Sequence, residues 1–453
     1  MQNQKILIIG SGGREYAIGW KLAQSPRTPE LYFAPGNAGT SIIGNNVDIK
    51  ATDIQALLEF TKSENIYMTL ALPDDPLALG IVNIFRENNL RIWGPTKEAS
   101  KLEWSKAYAK DFMKRHNLPT AKFEIFTDEE YDDAIVYVES HTMPVVVKAS
   151  GLALGKGVVI CNTINEAKKA VEDILVKKIH GDGGNEIVIE EFLTGPEISV
   201  HAFSDGVSCK LLPISADHKR IGEGNTGPNT GGMGTIAPVS FVDEAMIAEI
   251  KNKIVLPTLV NMEHEGNPFE GLLYPGLILT KDGPKIIEFN SRFGDPETQT
   301  YMRLLDTDLL EIFEACLDKK LSELEIKWKE GYACNIVLAS GGYPGEYEKG
   351  KVIEGVLNSP RQVYPKGEVD KSEMQSTPSL RTTPQEGNNS DIVIFHAGTK
   401  LNSEGNLVTN GGRVLGVSAT GATLDEALQK AYSTIEKISF KGMQYRRDIG
   451  KTF

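Results

Sequence analysis

The sequence predicts a protein of several domains, in which an open α/β sheet of the Rossmann type is followed by α+β units. The chain has 453 residues, and at about 150 residues per domain this suggests roughly three domains. Lys5–Ile9 is a short apolar run that leads through a glycine turn into a helical stretch, as expected for a buried parallel strand. Later, Asp205-Gly206 and Asp282-Gly283 separate strand-like segments, which indicates antiparallel hairpins.

The first part of the chain, up to about residue 103, alternates predicted strands and helices. Apolar runs bounded by turn residues predict strands, and apolar positions at helical spacing predict helices. After the first strand, the predicted elements are the helix Tyr16–Ala23, the strand Leu31–Ala34, the helix Ile54–Ser63, and the strands Met68–Leu72 and Arg91–Gly94. This alternation favours a parallel sheet with helices between its strands.

Between about residues 103 and 330 the pattern changes to α+β, and a smaller segment follows. Thr163 with Glu166, and Thr423 with Glu426, have the spacing of a capping box at the start of a helix. The predicted strand pairs of the middle segment are Val145–Lys148 with Gly157–Cys161, Glu197–Phe203 with Val207–Pro213, and Leu272–Leu279 with Pro284–Asn290. These strand pairs predict at least one mixed or antiparallel sheet.

Composition excludes several classes of protein. Lys plus Arg total 48 and Asp plus Glu total 61, so the formal net charge is −13, and a broad grip on nucleic acid is not expected. No apolar run approaches the length of about 18 residues that a membrane span needs, and the apolar stretch near the N-terminus is too short for a signal sequence. Cys161, Cys209, Cys316 and Cys334 form no CxxC pair, which argues against zinc and disulfide frameworks and favours a reducing cytosol.

The first chemically suggestive segment is the glycine turn Gly10–Glu15, which follows the first strand and opens a helix. Such a turn directs backbone N–H groups at an anion. It is similar to the dinucleotide fingerprint, but Glu15 stands where the third glycine should be, and no convincing acidic residue follows about 20 positions later. A phosphate-bearing substrate is favoured, while a tight turn without a ligand and a site for NAD remain alternatives.

The second segment, Lys148–Gly157, places a lysine at the end of one strand and a glycine loop before the next. A loop of this kind can cover a triphosphate with its N–H groups directed inward. It is not a Walker loop, because Ser150 occupies the position of the first required glycine and Gly157 follows Lys156 where Ser or Thr is needed. An exposed hairpin loop is the alternative.

The third segment, His218–Gly234, is so rich in glycine that we expect no regular element in it. Long structureless stretches inside compact domains are usually functional or disordered, and this one lies between strand-like segments. Function is therefore favoured. Lys219 and Arg220 at its start are suited to phosphates, and a solvated basic pair is the alternative.

The fourth segment is Glu288–Glu297. Alternate residues of a strand share a face, so Glu288, Asn290 and Arg292 should point the same way at the end of a buried strand. A carboxylate and an amide oxygen suit Mg²⁺, and two such ligands fit an ion shared with nucleotide phosphates and water. Arg292 would then face a phosphoryl or carboxylate group. A surface-exposed edge strand is the alternative.

Together with these segments, PGNAGT (Pro35–Thr40), Ser105-Lys106, EEFLTGPE (Glu190–Glu197) and GGRVLGVSATG (Gly411–Gly421) complete a pattern. The chain resembles the glycinamide ribonucleotide synthetase family of the ATP-grasp superfamily over almost its whole length. The most specific matches are GPNTGGMG, which ends at Gly234, and EFNSRFGDPETQ, which begins at Glu288.

The resemblance implies a fold and a reaction. It implies a Rossmann-like substrate-binding domain over 1–103, an ATP-grasp domain over 104–330 with a lid at about 120–193, and a small α/β domain over 331–453 with an exposed insertion at about 357–390. The implied reaction joins glycine to 5-phosphoribosylamine with ATP, through glycyl phosphate, in the second step of de novo purine synthesis. Mg²⁺ or Mn²⁺ is the implied metal, and we expect a cytoplasmic monomer that binds neither nucleic acid nor membrane.

The resemblance also assigns residues. Those expected to contact ATP are Lys106, Lys148, Gly155, Lys156, Gly157, Glu190, Glu191, Leu193 and Glu197. Those expected around glycine and phosphoribosylamine are Gly12, Gly13, Arg14, Glu15, Asp217, Lys219, Asn229, Thr230, Gly231, Gly232, Met233, Gly294, Asp295 and Glu297. Those expected to act directly in catalysis are Arg292, Lys148 and Asp295. Those expected to hold the metal are Glu288 and Asn290.

The chain departs from the family pattern in places. Tyr16 stands where the family usually has His, and Leu72–Asp75 replaces the usual Gly-Pro-Glu, so that a shorter carboxylate faces the substrate. Three other classes are weighed: another ATP-grasp carboxylate–amine ligase or a carboxylase-like relative, an NAD-dependent oxidoreductase, and a silent nucleotide-binding protein. The first should lack the two specific segments, the second needs the missing glycine, and the third should have lost a metal ligand or a lysine.

Overall fold

The computed structural model describes residues 4–151, 157–356 and 391–451. The insertion expected at 357–390 lies outside the described residues. Among the helices that are described, none is both long enough and apolar enough to cross a membrane. The predicted fold class, α/β followed by α+β, is confirmed by the sheets described below.

The N-terminal part is a parallel sheet with helices between its strands. The strands are β1 (Lys5–Gly10), β2 (Glu30–Pro35), β3 (Asn45–Asn46), β4 (Met68–Ala71) and β5 (Ile92–Trp93). The helices are α1 (Gly13–Leu22), α2 (Thr40–Ile43), α3 (Ile54–Ser63), α4 (Asp74–Ala78) and α5 (Ile81–Glu87). The strand order is β3-β2-β1-β4-β5, so β2 and β3 lie on one side of β1 and β4 and β5 lie on the other. The carboxyl ends of β1 and β4 therefore flank a crevice, which is where open α/β sheets bind ligands.

The predicted elements of this part are confirmed, with shifts at their ends. The helix predicted at Ile54–Ser63 has those bounds, and Asp53 caps it by accepting a hydrogen bond from the backbone nitrogen of Ala56 (3.1 Å). The helix predicted from Tyr16 begins earlier, at Gly13. Since glycine is a poor helix former, propensity alone placed this boundary too late.

The middle of the chain carries most of the strands. They are β6 (Phe123–Thr127), β7 (Val145–Ala149), β8 (Val158–Cys161), β9 (Glu186–Glu191), β10 (Glu197–Ser199), β11 (Ala202–Asp205), β12 (Cys209–Leu211), β13 (Ala216–Asp217), β14 (Arg220–Gly222), β15 (Thr226–Asn229), β16 (Gly234–Ala237), β17 (Glu270–Thr280) and β18 (Gly283–Asn290). The helices are α6 (Lys101–Trp104), α7 (Lys106–Arg115), α8 (Tyr131–Ser140), α9 (Ile164–Val171), α10 (Glu244–Ile250), α11 (Leu256–His264), α12 (Glu297–Leu304) and α13 (Leu309–Leu317).

The four strands β6-β9-β7-β8 form a small antiparallel sheet with its own core. Successive side chains of a strand point to opposite faces. Val145 and Val147 of β7 pack with α8 and α9 in this core, while Val146 and Lys148 face the opposite side. This opposite face forms one wall of the cleft described below.

A second sheet has the order β10-β17-β11-β12, with β18 paired to the other edge of β17. The continuous strand predicted over Glu197–Phe203 is wrong. The chain forms β10 and β11 instead, because the two strands pair with different stretches of β17, around Leu277 and Leu273 respectively. The hairpins predicted at Asp205-Gly206 and at Asp282-Gly283 are confirmed.

The last part supplies β19 (Tyr332–Ala339), β20 (Ile392–His396), β21 (Thr399–Leu401), β22 (Leu407–Thr409), β23 (Arg413–Gly421) and α14 (Leu424–Ile435). Its sheet has the order β13-β16-β19-β23-β20, so two of its strands come from the middle of the chain. Ile236 of β16, Cys334 of β19 and Val417 of β23 are buried in one apolar core that also includes middle-segment helices. The middle and last parts are therefore packed as one body along this sheet.

The expectation that His218–Gly234 contains no regular element is wrong. β14 and β15 pair as an antiparallel hairpin, with Arg220 opposite Asn229 and Gly222 opposite Thr226. The turn between them places Gly224 and Asn225 at positive φ (65° and 56°). Glycine and asparagine tolerate this left-handed conformation better than other residues, which explains how so glycine-rich a segment forms a defined turn.

Candidate active site

One large cleft, of about 1370 Å³, lies where the three parts of the chain meet. The predicted site residues that line it are Arg14, Lys106, Lys148, Gly157, Glu190, Glu191, Leu193, Glu197, Asp217, Lys219, Asn229, Thr230, Gly231, Glu288, Asn290, Arg292, Asp295 and Glu297. Gly155 and Lys156 lie outside the described residues. The remaining predicted residues lie behind the wall of the cleft.

The two predicted metal ligands lie at the end of β18, where its pairing with β17 is irregular. Gly276 pairs with Glu288 and Leu277 with Ile286, so Ile287 is left as the extra residue of a bulge. Bulges redirect the neighbouring side chains. The Asn290 amide nitrogen donates to the carbonyl of Tyr274 (3.4 Å), which leaves the amide oxygen for a cation.

Three lysines surround Glu288. Lys219 Nζ lies 3.9 Å from Glu288 Oε1 and 3.6 Å from Glu197 Oε2. Burial alone would raise the pKa of Glu288, but the ammonium groups of Lys219, Lys148 and Lys106 outweigh it and hold the pKa below its ordinary value. Glu288 is therefore ionised in a strongly cationic corner that suits a polyanion.

Lys106 and Lys148 reach this corner from different elements. Ser105 caps α7 by accepting from the backbone nitrogen of Tyr108 (3.2 Å), which places Lys106 in the first turn of the helix. The Lys106 ammonium donates to the carbonyl of Gly151 (3.4 Å). The Lys148 ammonium donates to the carbonyl of Ile287 (3.2 Å) in the bulge. A basic side chain and helix-terminal N–H groups together favour phosphate.

Glu190 lies between two lysines behind this corner. Its carboxylate pairs with Lys110 Nζ (2.5 Å) and with Lys148. Burial lowers the pKa of Lys110 to about 8, although the charge of Glu190 opposes this. The wall beside this group is apolar and includes Met113 and Leu193. A pocket that is apolar on its walls and polar at its edges suits a nucleobase.

Arg292 also lines the cleft and is held there by a buried carboxylate. Its Nη2 lies 3.0 Å from Glu103 Oε1, and Glu103 Oε2 accepts from the backbone nitrogen of Ser291 (2.8 Å). Burial alone would lower the pKa of Arg292, but Glu103 and Asp74 outweigh it and raise the pKa. The guanidinium is therefore a fixed positive charge with a defined orientation.

A third group of charges joins the middle and last parts of the chain. Arg413 Nη2 lies 3.4 Å from Asp295 Oδ2, and its Nη1 donates to the carbonyl of Gly231 (2.5 Å). Glu297 accepts from the Tyr274 hydroxyl (2.6 Å). Asp217 Oδ1 is buried without a hydrogen-bond partner in the described part of the chain, and burial together with the charge of Glu297 raises the pKa of Asp217 well above its ordinary value.

The N-terminal glycine turn reaches the cleft through Arg14. Glu15 is buried, and its carboxylate accepts from the backbone nitrogen of Gly12 (2.6 Å) and from Arg14 Nε (2.6 Å). The anion at this helix N-terminus is thus the side chain of Glu15 itself. Gly12 lies close to the Asp295 carboxylate, since an added Cβ would lie 3.3 Å from its oxygen.

Four other predicted residues also lie behind the residues that line the cleft. Gly13 backs on Gln299, and Gly294 backs on Glu297 and His201. Gly232 has a φ of 109° and backs on Asp217, and Met233 is fully buried. The structure thus brings most predicted side chains together and places the glycines where a larger residue would displace a neighbour.

The donor set fits a divalent ion that is shared with a substrate. Within 4–151, 157–356 and 391–451, no group of three or more His, Cys, Asp and Glu side chains could hold a metal alone. Glu288 and Asn290 offer two hard oxygen ligands beside the lysines. Ions such as Mg²⁺ are commonly bound by one or two protein oxygens together with phosphates and water.

Comparison with known proteins places this cleft in a family. A model described as "Phosphoribosylglycinamide synthetase, ATP-grasp (A) domain" matches residues 104–298, and the N and C domain models of the same synthetase match residues 4–103 and 361–452. The chain belongs to the phosphoribosylglycinamide synthetase family. Enzymes with the ATP-grasp fold use ATP together with a divalent metal ion.

Relatives of known name cover nearly the whole chain. The chain is 46% identical over 448 residues to the phosphoribosylamine–glycine ligase of Yersinia pestis, covering 98% of each. It is 45% identical over 448 residues to that of Vibrio vulnificus (strain CMCP6), covering 98% of this chain and 97% of the other. The crystal structure of the Thermotoga maritima phosphoribosylamine–glycine ligase has a TM-score of 0.78 at 36% identity, covering 98% of this chain and 100% of that one.

A more distant neighbour shows the fold alone. The biotin carboxylase domain of Hydrogenobacter thermophilus 2-oxoglutarate carboxylase, solved with MgADP, has a TM-score of 0.69 at 14% identity, covering 97% of this chain and 91% of that one. The match extends the ATP-grasp architecture of the synthetase family to an enzyme of another class.

Sequence reasoning missed three charged residues of this synthetase cleft. Lys110 and Glu103 lie in segments that carry no unusual pattern, although Lys110 lies one helical turn from Lys106 and shares its face. Arg413 lies in the quoted segment GGRVLGVSATG, but the resemblance assigns it no role. The position of that arginine at the start of a strand in a glycine-rich segment was the available signal.

Proposed function

We propose that this chain is a phosphoribosylamine–glycine ligase, which joins glycine to 5-phosphoribosylamine and converts ATP to ADP and phosphate. Membership of the synthetase family supports the reaction. The observation that supports roles for individual residues is the shared cleft, where Glu288 and Asn290 face the same space as Lys106 and Lys148. An arrangement without that shared space would leave the metal ligands without a triphosphate to bridge.

In the first step, a carboxylate oxygen of glycine attacks the γ-phosphorus of ATP. The bond between that phosphorus and the β–γ bridging oxygen breaks, and ADP leaves with the electron pair. Lys106 and Lys148 balance the charge on the phosphates, and Arg292 faces the transferred group. Catalysis of this kind is mainly positioning and charge neutralisation, so no covalent enzyme nucleophile is required.

Glu288 and Asn290 would hold the divalent ion. When bound, Mg²⁺ or Mn²⁺ neutralises phosphate charge and polarises phosphoryl oxygens. Asn290 is oriented by its bond to the Tyr274 carbonyl, and Lys219 keeps Glu288 ionised.

In the second step, the amine nitrogen of phosphoribosylamine attacks the carbonyl carbon of glycyl phosphate. The bond from that carbon to the phosphate oxygen breaks, inorganic phosphate leaves, and the nitrogen loses a proton. Asp217 lines the cleft with one carboxylate oxygen that has no hydrogen-bond partner in the described part of the chain, so it is placed to accept a hydrogen bond from the amine as that proton leaves. The glycine-rich hairpin lines the same cleft.

The proposal includes the organisation of the chain. It comprises a substrate-binding domain over 1–103, an ATP-grasp domain over 104–330 with a lid at about 120–193, and a C-terminal domain over 331–453. It also includes a cytoplasmic monomer that binds neither nucleic acid nor membrane. Light scattering of the purified protein tests the monomer, and a mass of two or more chains would contradict it.

ADP release with defined co-substrates tests the reaction. Purified protein is mixed with ATP, Mg²⁺, glycine and freshly made phosphoribosylamine, and the expected result is ADP release that requires both glycine and phosphoribosylamine. Release with a different amine, or without phosphoribosylamine, would favour the alternative of another ATP-grasp carboxylate–amine ligase. Mass spectrometry of the product confirms the new amide bond.

A further inference from the structure

The hairpin of β14 and β15, which we call the cleft hairpin (residues 220–229), lies outside the larger sheets. Its two strands form a two-stranded sheet of their own. Such hairpins are marginally stable in water. Arg220, Asn225 and Asn229 of the cleft hairpin line the cleft. Its position therefore has to be fixed by contacts from elsewhere if it is to contribute to binding.

Those contacts come from a segment near the C-terminus, and the most buried of them is Arg446. Its side chain is 0% exposed. Its Nη1 donates to the carbonyl of Arg220 (3.1 Å) and to Asn225 Oδ1 (3.0 Å). One guanidinium thus joins the first strand of the cleft hairpin to its turn.

Asp448 completes the connection. Its two oxygens accept from Arg446 Nε (2.8 Å) and Nη2 (2.7 Å), which is the bidentate geometry that fixes a guanidinium plane. Asp448 Oδ2 also accepts from the backbone nitrogen of Gly224 (2.8 Å), at the turn of the cleft hairpin. The Arg446–Asp448 pair therefore contacts the backbone of the cleft hairpin both in its first strand and at its turn.

The base of the cleft hairpin is tied to the same segment. The backbone nitrogen of Gly450 donates to His218 Nε2 (3.0 Å), and His218 Nδ1 donates to the carbonyl of Gly234 (3.0 Å). Burial lowers the pKa of His218 to about 4, so the imidazole stays neutral and can accept at one nitrogen while donating at the other. Residues 446–450 thus contact the hairpin both at its turn and at its base.

We propose that Arg446 and Asp448 are positioning residues that hold the cleft hairpin in the conformation that binds phosphoribosylamine. The inference rests on the proposed function, because it assigns the cleft hairpin to that substrate. Neither residue lines the cleft, so neither touches substrate. Their effect is transmitted through the hairpin backbone, and a supporting contact of this kind decides whether a binding surface is preorganised.

The variants are Arg446→Lys, which keeps the charge but removes the planar fork, and Asp448→Asn, which keeps the shape but removes the charge. Arg447→Lys is the matched control. Arg447 is exposed, its guanidinium lies over the ring of Tyr445 (5.3 Å), and its bond to the hairpin, with Glu223, uses the backbone nitrogen that the substitution retains. Circular dichroism and thermal melting verify that each variant is folded.

Steady-state kinetics and hydrogen–deuterium exchange are measured on the full chain. Arg446→Lys and Asp448→Asn are expected to raise KM for phosphoribosylamine about tenfold to a hundredfold, as misplaced positioning groups do. KM for ATP should change less than about twofold, and peptides of residues 220–229 should exchange faster. Arg447→Lys should behave as the unchanged protein in each measurement.

The proposal is overturned if the cleft hairpin exchanges faster while KM for phosphoribosylamine stays unchanged, since its position would then not matter for binding. It is also overturned if KM for ATP rises in parallel, which would show general damage to the fold. If Arg446→Lys does not fold, Asp448→Asn carries the test. Failure of the proposed function is distinguishable, because the unchanged protein itself would then form no glycinamide ribonucleotide.

Discussion

Glu288 is the side chain with the clearest functional consequence, because it combines an ionised carboxylate with three nearby ammonium groups. Replacing it by alanine removes a metal ligand and one of the carboxylates that offset those cations. We expect Glu288→Ala to lower kcat at least about a hundredfold. Initial rates of ADP release at saturating ATP and glycine measure the loss.

The Glu288→Ala protein should remain folded, since the Glu288 side chain is 32% exposed and lies at the cleft surface. Glu263→Ala, at an exposed position on α11, is the control and should keep full activity. A Glu288→Ala variant that turns over normally would contradict the metal assignment.

Glu103 is predicted to act through Arg292. Glu103→Gln keeps an acceptor for the backbone nitrogen of Ser291 but removes the charge that orients the guanidinium. We expect kcat to fall about tenfold to a hundredfold, with a loss of roughly 1–3 kcal/mol in the free energy of unfolding. Kinetics and urea denaturation measure the two effects. Glu98→Gln, on an exposed side chain a short distance earlier, should change neither.

At the scale of residues, the sequence could predict the roles of those side chains that are identified by their spacing along the chain. The alternation of side chains along a strand is enough to place Glu288 and Asn290 on one face. Glu103 reaches Arg292 across 189 positions of the chain, as its ion pair with that residue shows. Because such pairs depend on how elements pack, local spacing could not reveal them.

At the scale of elements, the helix α7 carries two lysines with different tasks. Lys106 faces the cationic corner around Glu288. Lys110 neutralises Glu190 and so leaves Lys148 available for a phosphate. Because the pKa of Lys110 is lowered to about 8, its ammonium is lost as the pH rises through that value. Glu190 then retains Lys148 as its charged partner.

We therefore expect KM for ATP to rise between about pH 7 and about pH 9. Lys110→Met should raise KM for ATP already at the lower pH and remove this pH dependence. Lys114→Met, one turn later on α7 and 64% exposed, should match the unchanged protein. A KM for ATP that is independent of pH in the unchanged protein would contradict the role of Lys110.

The elements themselves were largely predictable where a hydrophobic period ran uninterrupted. The helix Ile54–Ser63 and the two Asp-Gly hairpins follow from spacing and turn chemistry. The cleft hairpin was not predictable, because its glycines carry no period and its conformation depends on Arg446 and Asp448 far along the chain. Local patterns fail where remote contacts decide the structure.

At the scale of the whole molecule, the sheet shared by the middle and last parts predicts how the protein tolerates truncation. β16 pairs with β19 through Gly234–Ala237 opposite Ala333–Ile336. A fragment of residues 1–330 lacks that partner and exposes the core around Ile236. We expect the fragment to aggregate, and size-exclusion chromatography with a hydrophobic dye measures this.

Co-expression of residues 331–453 with that fragment is the control, and it should restore solubility if the two pieces assemble along the shared sheet. A fragment 1–330 that is monomeric and folded by itself would show that the sheet is dispensable for the stability of the middle part.

The shared sheet also has a consequence for synthesis. The ribosome produces β13 and β16 long before β19 and β23, so a nascent chain presents unpaired strand edges and apolar side chains until its partners emerge. We therefore expect rapid synthesis of this enzyme to depend on chaperones that protect the incomplete sheet. When chaperones are limiting, this protein should be depleted before proteins whose sheets form between neighbouring segments of the chain.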